Sequence, residues 1–137
     1  MLAKARVKYM RISPRKTRLV LDTVRGKTVE RAHAILDSTN KRAGGVVKKV
    51  VNSAFANLNS NRPDKDKFLA KDVLISEIKA DNGPVLKRYR AATMGRATPV
   101  RHRTAHISVG LDKVPAERPE AGQAGQGSKA KAETESK

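Results

Sequence analysis

The alternation of apolar and polar residues predicts three β-strands. Residues 2–10 alternate between an apolar face and a basic face, which is typical of a half-buried strand. The apolar face consists of Ala3, Ala5, Val7 and Tyr9, and the basic face consists of Lys4, Arg6 and Lys8. Residues 73–80 are rich in Val, Ile and Leu and predict a second strand. Residues 101–111 predict a third, with Ala105, Ile107, Val109 and Leu111 on one face.

Three helices are predicted between the first and second strands. Ser13-Pro14 is typical of an N-cap followed by a first helical residue, and Gly26 is a natural stop. Thr28 is the expected cap of a second, short helix, and Thr39 or Asn40 is the expected start of the longest helix. The residues expected to face the core are Leu19, Val20, Leu21, Val24, Val29, Ala32, Ile35, Leu36, Val47, Val50, Val51, Ala54, Phe55 and Leu58.

These elements predict an α+β domain in which three helices pack on a small antiparallel three-stranded sheet. Gly44-Gly45 is unfavourable inside the third helix and indicates close packing there. We assign residues 1–111 to this domain, including an extended hairpin at 83–103. Residues 112–137 are predicted to form a disordered tail, because they carry five basic and five acidic groups and few large apolar residues.

The segment between the last two predicted strands is the main candidate for function. No acidic residue occurs from Pro84 to Arg103, while six Lys and Arg do, and small residues surround Gly95. A structureless segment of this length is uncommon in a compact domain and is usually functional. We therefore predict a long protruding β-hairpin with a narrow tip, whose arms reach on the order of 30 Å at ~3.3 Å per residue.

The overall charge points to a polyanionic partner. The chain of 137 residues has a net charge of +17 and no cysteine. Nucleic acid is the expected partner, because each neutralised phosphate releases counterions. A membrane partner, a signal peptide and Cys-ligated zinc are not expected. A DNA-architectural protein with a basic ribbon is an alternative. An enzyme such as a nuclease is disfavoured, since the acidic residues are scattered and match no catalytic motif.

Several motifs resemble the family of bacterial large-subunit ribosomal protein L-twenty-two, the universal uL-twenty-two family. They are Arg-Ile-Ser-Pro-Arg-Lys at 11–16, Gly-Lys at 26–27, Gly-Pro-Val-Leu-Lys-Arg at 83–88, Gly-Arg-Ala at 95–97 and Arg-Thr-Ala-His-Ile at 103–107. The resemblance covers residues 3–111 in one unbroken order. The chain departs from the family at Ala91-Ala92, often Pro-Arg, at His102, often Lys, and at Ala105, usually Ser.

The resemblance implies a structural, non-enzymatic component of the large ribosomal subunit that is cytoplasmic and ribosome-bound. Its implied partners are several domains of large-subunit rRNA, neighbouring ribosomal proteins, the nascent polypeptide and macrolide antibiotics bound nearby; no cofactor or metal is expected. The hairpin is implied to support assembly and to line the polypeptide exit tunnel, with the family's macrolide-resistance changes near positions 86–88. The residues then expected to bind RNA are Arg6, Lys8, Arg11, Ser13, Arg15, Lys16, Arg18, Arg25, Lys27, Lys87, Arg88, Tyr89, Arg90, Arg96, Arg101, His102 and Arg103. The residues expected at the tip or the tunnel wall are Leu86, Arg90, Ala91, Ala92, Thr93, Met94 and Gly95.

Some residues allow two interpretations. Ser13 is either an ordinary N-cap or part of a phosphate seat at a helix N-terminus, and both can hold. Tyr89 either stacks on an unpaired base or packs on the opposite arm. Leu86 and Met94 either are exposed to the tunnel or inserted into RNA, or they make a small apolar contact across the hairpin. His102 and His106 share a strand face about 13 Å apart, too far for one metal ion, so we expect them to face RNA or solvent.

Overall fold

The computed structural model describes residues 2–60, 62–63 and 67–114. Its elements in chain order are strand β1 (Ala3–Met10), helix α1 (Pro14–Val24), helix α2 (Val29–Ser38), helix α3 (Arg42–Asn59), strand β2 (Val73–Ala91) and strand β3 (Ala97–Lys113). The strands form one antiparallel sheet in the order β1-β3-β2. The predicted α+β fold with a long hairpin is therefore confirmed.

One hydrophobic core joins the helices to the sheet. In β3, Ile107, Val109 and Leu111 are completely buried, while Ser108 between them is only half-buried, because successive side chains point to opposite faces of a strand. In α3, Val47, Val51 and Ala54 are completely buried on the stripe that the sequence predicts. Leu19 is a wrong prediction: its side chain is 62% exposed, because it lies one residue outside the buried face formed by Val20, Leu21 and Val24.

Tyr9 is also exposed, against the prediction of an inward-facing residue. The register of β1 against β3 shifts between Val7 and Met10, and Tyr9 adopts a positive φ of 58°. This irregularity turns the Tyr9 side chain outward and leaves Met10 packed against the core. The Tyr9 backbone N–H donates to His106 Nδ1 at 3.0 Å, and the two rings meet edge to face with centroids 4.8 Å apart. His106 is thereby bound within the domain.

Local chemistry sets the helix boundaries. Gly26 follows the end of α1 and has a positive φ of 69°, so the chain turns away from the helix there. At the start of α2, the Thr28 hydroxyl accepts from the Arg31 backbone N–H, which is the predicted cap. Helix α3 begins at Arg42, later than predicted, because the Thr39 hydroxyl donates to the Ile35 carbonyl and completes the end of α2.

Gly44 allows α3 to approach the end of α2 closely. A Cβ atom at this position would lie 3.3 Å from the Leu36 carbonyl oxygen and 3.4 Å from that of Thr39. The distance to the Leu36 oxygen is shorter than ordinary van der Waals contact. The close packing that the sequence indicated at this position is therefore present. Nothing lies within 4 Å of a Cβ at Gly45, so the requirement for glycine applies to Gly44 alone.

The hairpin is a continuous two-stranded extension of the sheet. The last pair between β1 and β3 is Met10 with Ala105, whereas β2 and β3 stay paired from Val85–Arg103 to Ala91–Ala97. A single turn of 3₁₀ helix, Thr93–Gly95, closes the tip, where Met94 and Gly95 have φ values of 56° and 70°. Both strands run further than the predicted segments 73–80 and 101–111.

The base of β3 includes residues that the sequence analysis placed in the tail. Asp112 pairs with Leu74 and Lys113 pairs with Val73, so both belong to the sheet. Val114, the next residue, donates its backbone N–H to the Asp72 carbonyl, and the remainder of the predicted tail, 115–137, lies outside the described residues. Within the described ranges, no helix has the length and apolar character needed to cross a membrane.

Two leucines on α1 provide a test of this packing. Leu21 is 1% exposed, so Leu21→Ala should lower the free energy of unfolding by about 2–5 kcal/mol through lost burial and a cavity. Leu19→Ala is the matched control and should change it by about 0.5 kcal/mol or less, because the side chain is already in solvent. Urea unfolding followed by circular dichroism measures both values. Equal losses would contradict the orientation of α1.

Candidate nucleic-acid interface

A cationic cleft lies where the hairpin joins the globular domain. This cleft, which we call the root cleft, has a volume of about 520 Å³. Its lining residues are Arg11, Ser13, Arg42, Leu86, Arg88, Arg101, His102 and Arg103. They come from the segment before α1, the first residue of α3 and both arms of the hairpin. Five of the eight are arginines and none is acidic, so the root cleft is suited to an anion with several negative groups.

A second groove continues this surface along the helices. It has a volume of about 590 Å³ and shares Arg11, Ser13 and Arg42 with the root cleft. Its further lining residues are Ile12, Lys16, Leu19, Lys41 and Ala43. The exposed Leu19 side chain therefore lies beside cations rather than in the core.

The N-termini of α1 and α3 both open onto this surface without a cap. Neither Ser13 nor Lys41 makes a side-chain capping bond, and neither helix has an acidic residue in its first turn. Helix α2 differs, since Thr28 caps it and Glu30 lies in its first turn. Cations beside a helix N-terminus are unfavourable unless an anion accompanies them, because the exposed N–H groups carry partial positive charge. The local electrostatics therefore favour a bound phosphate-like group.

The hairpin arms carry cations that are not neutralised within the hairpin. Lys87 lies directly opposite Arg101, and like charges in this position destabilise an antiparallel pair. No Asp or Glu occurs in the sequence between Asp81 and Asp112. The Arg88 guanidinium donates to the Lys87 carbonyl at 2.8 Å, a contact that adds no negative charge. An external anion is the natural way to stabilise these arms.

Acidic residues of the described part form ion pairs elsewhere on the domain. Asp37 accepts from Lys48 at 2.6 Å on the α2–α3 side. Glu77 and Lys79 pair on β2, where the hydrogen bond lowers the pKa of the Glu77 carboxyl and raises the pKa of the Lys79 amine. None of these residues lines the root cleft. The positive potential of the cleft is thus preserved.

Arg18 and Arg25 have intramolecular partners on the edge strand β2. The Arg18 Nε donates to the Ala80 carbonyl at 3.0 Å, and an Arg25 Nη donates to the Ile78 carbonyl at 3.3 Å. Arg25 also pairs with Asp22 at 3.3 Å. These contacts attach α1 to the sheet edge, so the two arginines have a structural role, and their contact with RNA stays a prediction.

The structure brings together only part of the predicted set of RNA ligands. Those in or beside the root cleft are Arg11, Ser13, Lys16, Arg88, Arg101, His102 and Arg103. Those elsewhere on the domain are Arg6 and Lys8 on β1 and Arg15, Arg18, Arg25 and Lys27 on or just after α1. Those further along the hairpin are Lys87, Tyr89, Arg90 and Arg96.

Two cations of this surface are missing from the sequence-based set: Arg42 in the root cleft and Lys41 in the adjoining groove. Their signal is a basic pair at a predicted helix start, the same context as Ser13 and Lys16. Only the fold places Arg42 beside the hairpin, far along the chain from Arg101.

The apolar hairpin residues occupy different ends of the arm. Met94 is 93% exposed at the tip, and Tyr89 is 74% exposed opposite Pro99, so most of its ring is free. Leu86, which the sequence analysis grouped with the tip, is half-buried at the root cleft. Within the residues the structure describes, no group of three or more Asp, Glu or His is arranged to hold a metal ion.

Comparison with known proteins identifies the family. The family model for ribosomal protein L22p/L17e matches residues 5–112, which include the root cleft and the whole hairpin. A large ribosomal subunit protein uL22 from Syntrophus aciditrophicus is 49% identical over 113 residues, covering 82% of this chain and 99% of the relative. Proteins of the same name from Halothermothrix orenii and Rubrobacter xylanophilus are 44% and 47% identical over 80% and 79% of this chain, covering 93% and 82% of the relatives. The chain therefore belongs to the ribosomal protein L22p/L17e family, whose members are structural proteins of the ribosome and not enzymes.

Proposed function

We propose that this chain holds large-subunit rRNA in the root cleft and along its hairpin, and that the hairpin tip lines the polypeptide exit tunnel. Membership of the L22p/L17e family makes the chain a structural, rRNA-binding component of the large ribosomal subunit. The observation that carries the residue-level proposal is the convergence of five arginines from three parts of the fold on one cleft without an acidic residue.

Arginine chemistry explains how the cleft binds RNA. The planar guanidinium donates two parallel hydrogen bonds to one phosphate and stacks on exposed bases. Arg11 and Arg42 approach a ligand from the domain, while Arg88, Arg101 and Arg103 approach it from the hairpin. The free N–H groups at the start of α1 and α3 supply further donors. Together these groups follow an RNA backbone without reading its sequence.

The hairpin is held by the RNA that it penetrates. Its paired arm from Val85 to Ala91 extends roughly 20 Å at ~3.3 Å per residue, without a third strand beside it. Phosphate groups on both sides neutralise Lys87, Arg90, Arg96 and Arg101, and Tyr89 is free to stack on a base. Fixing this arm between RNA segments supports subunit assembly.

The tip has the composition expected of a tunnel wall. Ala91, Ala92, Thr93 and Gly95 are small, so they leave room for a passing chain, and Met94 presents an adaptable apolar side chain. The tip contacts the nascent polypeptide and lies near the site of macrolide antibiotics. The globular domain contacts neighbouring ribosomal proteins, and the chain acts in the cytoplasm, bound to the ribosome.

Removing the hairpin tests its share of RNA binding. Residues 86–102 are replaced by Asn-Gly, a two-residue turn suited to joining the directly opposed Val85 and Arg103. The change removes five Lys and Arg, so the slope of log affinity against log salt for rRNA should fall by roughly 3.5 to 4.5. Thermal unfolding of the chain without the hairpin shows whether the globular domain is still folded. An unchanged slope in a folded variant would contradict the role of the hairpin.

Arg42→Ala tests the cleft. It should weaken rRNA binding about tenfold by removing charge-assisted hydrogen bonds, and reduce the salt slope by about one. Lys71→Ala removes the same charge from an exposed position before β2, at the end opposite to the hairpin, and should have little effect. Filter binding across a salt series, with duplex DNA as competitor, gives both quantities. Equal effects of the two substitutions would indicate that only total charge matters.

A cross-linking experiment tests the tunnel location of the tip. The chain has no cysteine, so Met94→Cys provides a single attachment point for a photo-reactive group. In ribosomes containing this variant and a stalled nascent chain, illumination should link the tip to that chain. The same group at Lys71→Cys is the control and should link to RNA or other proteins. Nascent-chain adducts from position 71 but not from 94 would overturn the tunnel assignment.

A further inference from the structure

The hairpin leaves the globular sheet at a β-bulge. Asn82 is paired with Ala105, and the next pair along β2 is Val85 with Arg103. Gly83 and Pro84 therefore oppose the single residue Thr104, which bends a strand at that point. Strand β1 ends its pairing at Ala105, so the bulge is also where the sheet narrows from three strands to two.

Thr104 closes this bulge from within. Its side chain is 4% exposed, and the other buried polar residue of the described part is Thr17 in α1. The Thr104 hydroxyl donates to the Pro84 carbonyl at 2.7 Å. Because Pro84 has no N–H, its carbonyl is the one backbone group through which it can be bound here. A single hydroxyl thus ties the two strands together where ladder pairing is interrupted.

Gly83 leaves the space that this hydroxyl occupies. A Cβ atom at position 83 would overlap the Thr104 hydroxyl and would lie 3.2 Å from the Thr104 Cβ and carbonyl carbon. The Thr104 hydroxyl therefore fills the bulge. The residue types at the two positions depend on each other, since a hydroxyl at 104 requires glycine at 83.

We propose that Thr104 is a positioning residue that fixes the direction in which the hairpin leaves the domain before RNA binds. The root cleft has arginines on both sides of this joint, with Arg11 and Arg42 on the domain and Arg88 and Arg101 on the hairpin. The angle at the bulge thus sets the separation of the two groups. A rotation of 15° there would displace the end of a roughly 20 Å arm by roughly 5 Å. The inference rests on the proposed function, in which this cleft and arm hold RNA.

The positioning role has a distinct signature in binding. Loosening the joint lowers the fraction of free chains in the binding-competent geometry, and the apparent affinity falls by that fraction. The bound state still makes the same phosphate contacts, so the salt slope does not change. Loss of an arginine, by contrast, lowers affinity and slope together.

The test uses two spin labels on the full chain, at Asn52→Cys on α3 and Val100→Cys on the hairpin arm, read by pulsed electron paramagnetic resonance without RNA. Thr104→Val keeps the side-chain shape but removes the hydroxyl, and should broaden or shift the distance distribution. It should also weaken rRNA binding about three- to tenfold at an unchanged salt slope. Thr104→Ser keeps the hydroxyl and should restore the parent distribution and affinity. Gly83→Ala, which displaces the hydroxyl, should reproduce the Thr104→Val result.

An unchanged distance distribution in both Thr104→Val and Gly83→Ala would overturn the proposal, as would Thr104→Ser behaving like Thr104→Val. A broadened distribution with unchanged rRNA affinity would overturn the positioning role. If the hairpin-excised chain also binds rRNA with unchanged affinity and slope, the failure belongs to the proposed function. Thermal unfolding of each variant separates loss of the joint from loss of the fold.

Discussion

Mutual repulsion among the hairpin cations is the constraint on which the structure depends. Lys87 lies opposite Arg101, and no acidic residue occurs from Asn82 to Leu111 to offset them. The two arms have hydrogen-bonded pairing but no hydrophobic core and no third strand. In the proposed function, surrounding phosphate stabilises this ribbon more than its own contacts do. The same uncompensated positive charge therefore accounts both for the extended shape of the hairpin and for its expected polyanionic partner.

The globular domain has the hydrophobic core that the hairpin lacks. Its buried residues from α1, α2, α3 and the sheet form one core, and β3 runs without interruption from that core into the arm. At the boundary, Gly83 and Thr104 create a filled joint, and the root cleft collects cations from both sides of it. A rigid base and a charged arm are thus joined at the place where the anion is expected to bind.

Periodicity predicted much of this arrangement, because burial on one face leaves a direct record in the sequence. The alternation at Ile107, Val109 and Leu111 predicted a strand, which the structure places at the centre of the sheet, and the acid-free stretch predicted the hairpin. Tyr9 and Leu19 were predicted wrongly for local reasons. A register shift in β1 turned Tyr9 outward, and Leu19 lies just outside the helix face that its apolar neighbours define. Neither effect is visible in a hydrophobic pattern.

The candidate site was less predictable than the fold, because its residues come from distant parts of the chain. Ser13 and Lys16 were found through a local motif, but Arg42 belongs to the cleft only because α3 begins beside the hairpin root. Leu86 was grouped with the tip since sequence alone does not give the depth of a residue along an arm. Thr104 has no distinguishing local pattern, and its importance depends on Gly83 and Pro84 across the bulge.

Amide hydrogen exchange of the hairpin tests most directly whether RNA, and not internal packing, holds the arms. The account predicts rapid exchange for residues 86–102 in the free chain and at least about tenfold slower exchange once the chain is bound in the large subunit. Residues 105–111, whose alternate side chains are completely buried, should be protected in both states and serve as the internal reference. Arms equally protected in the free chain and in the subunit would contradict the account.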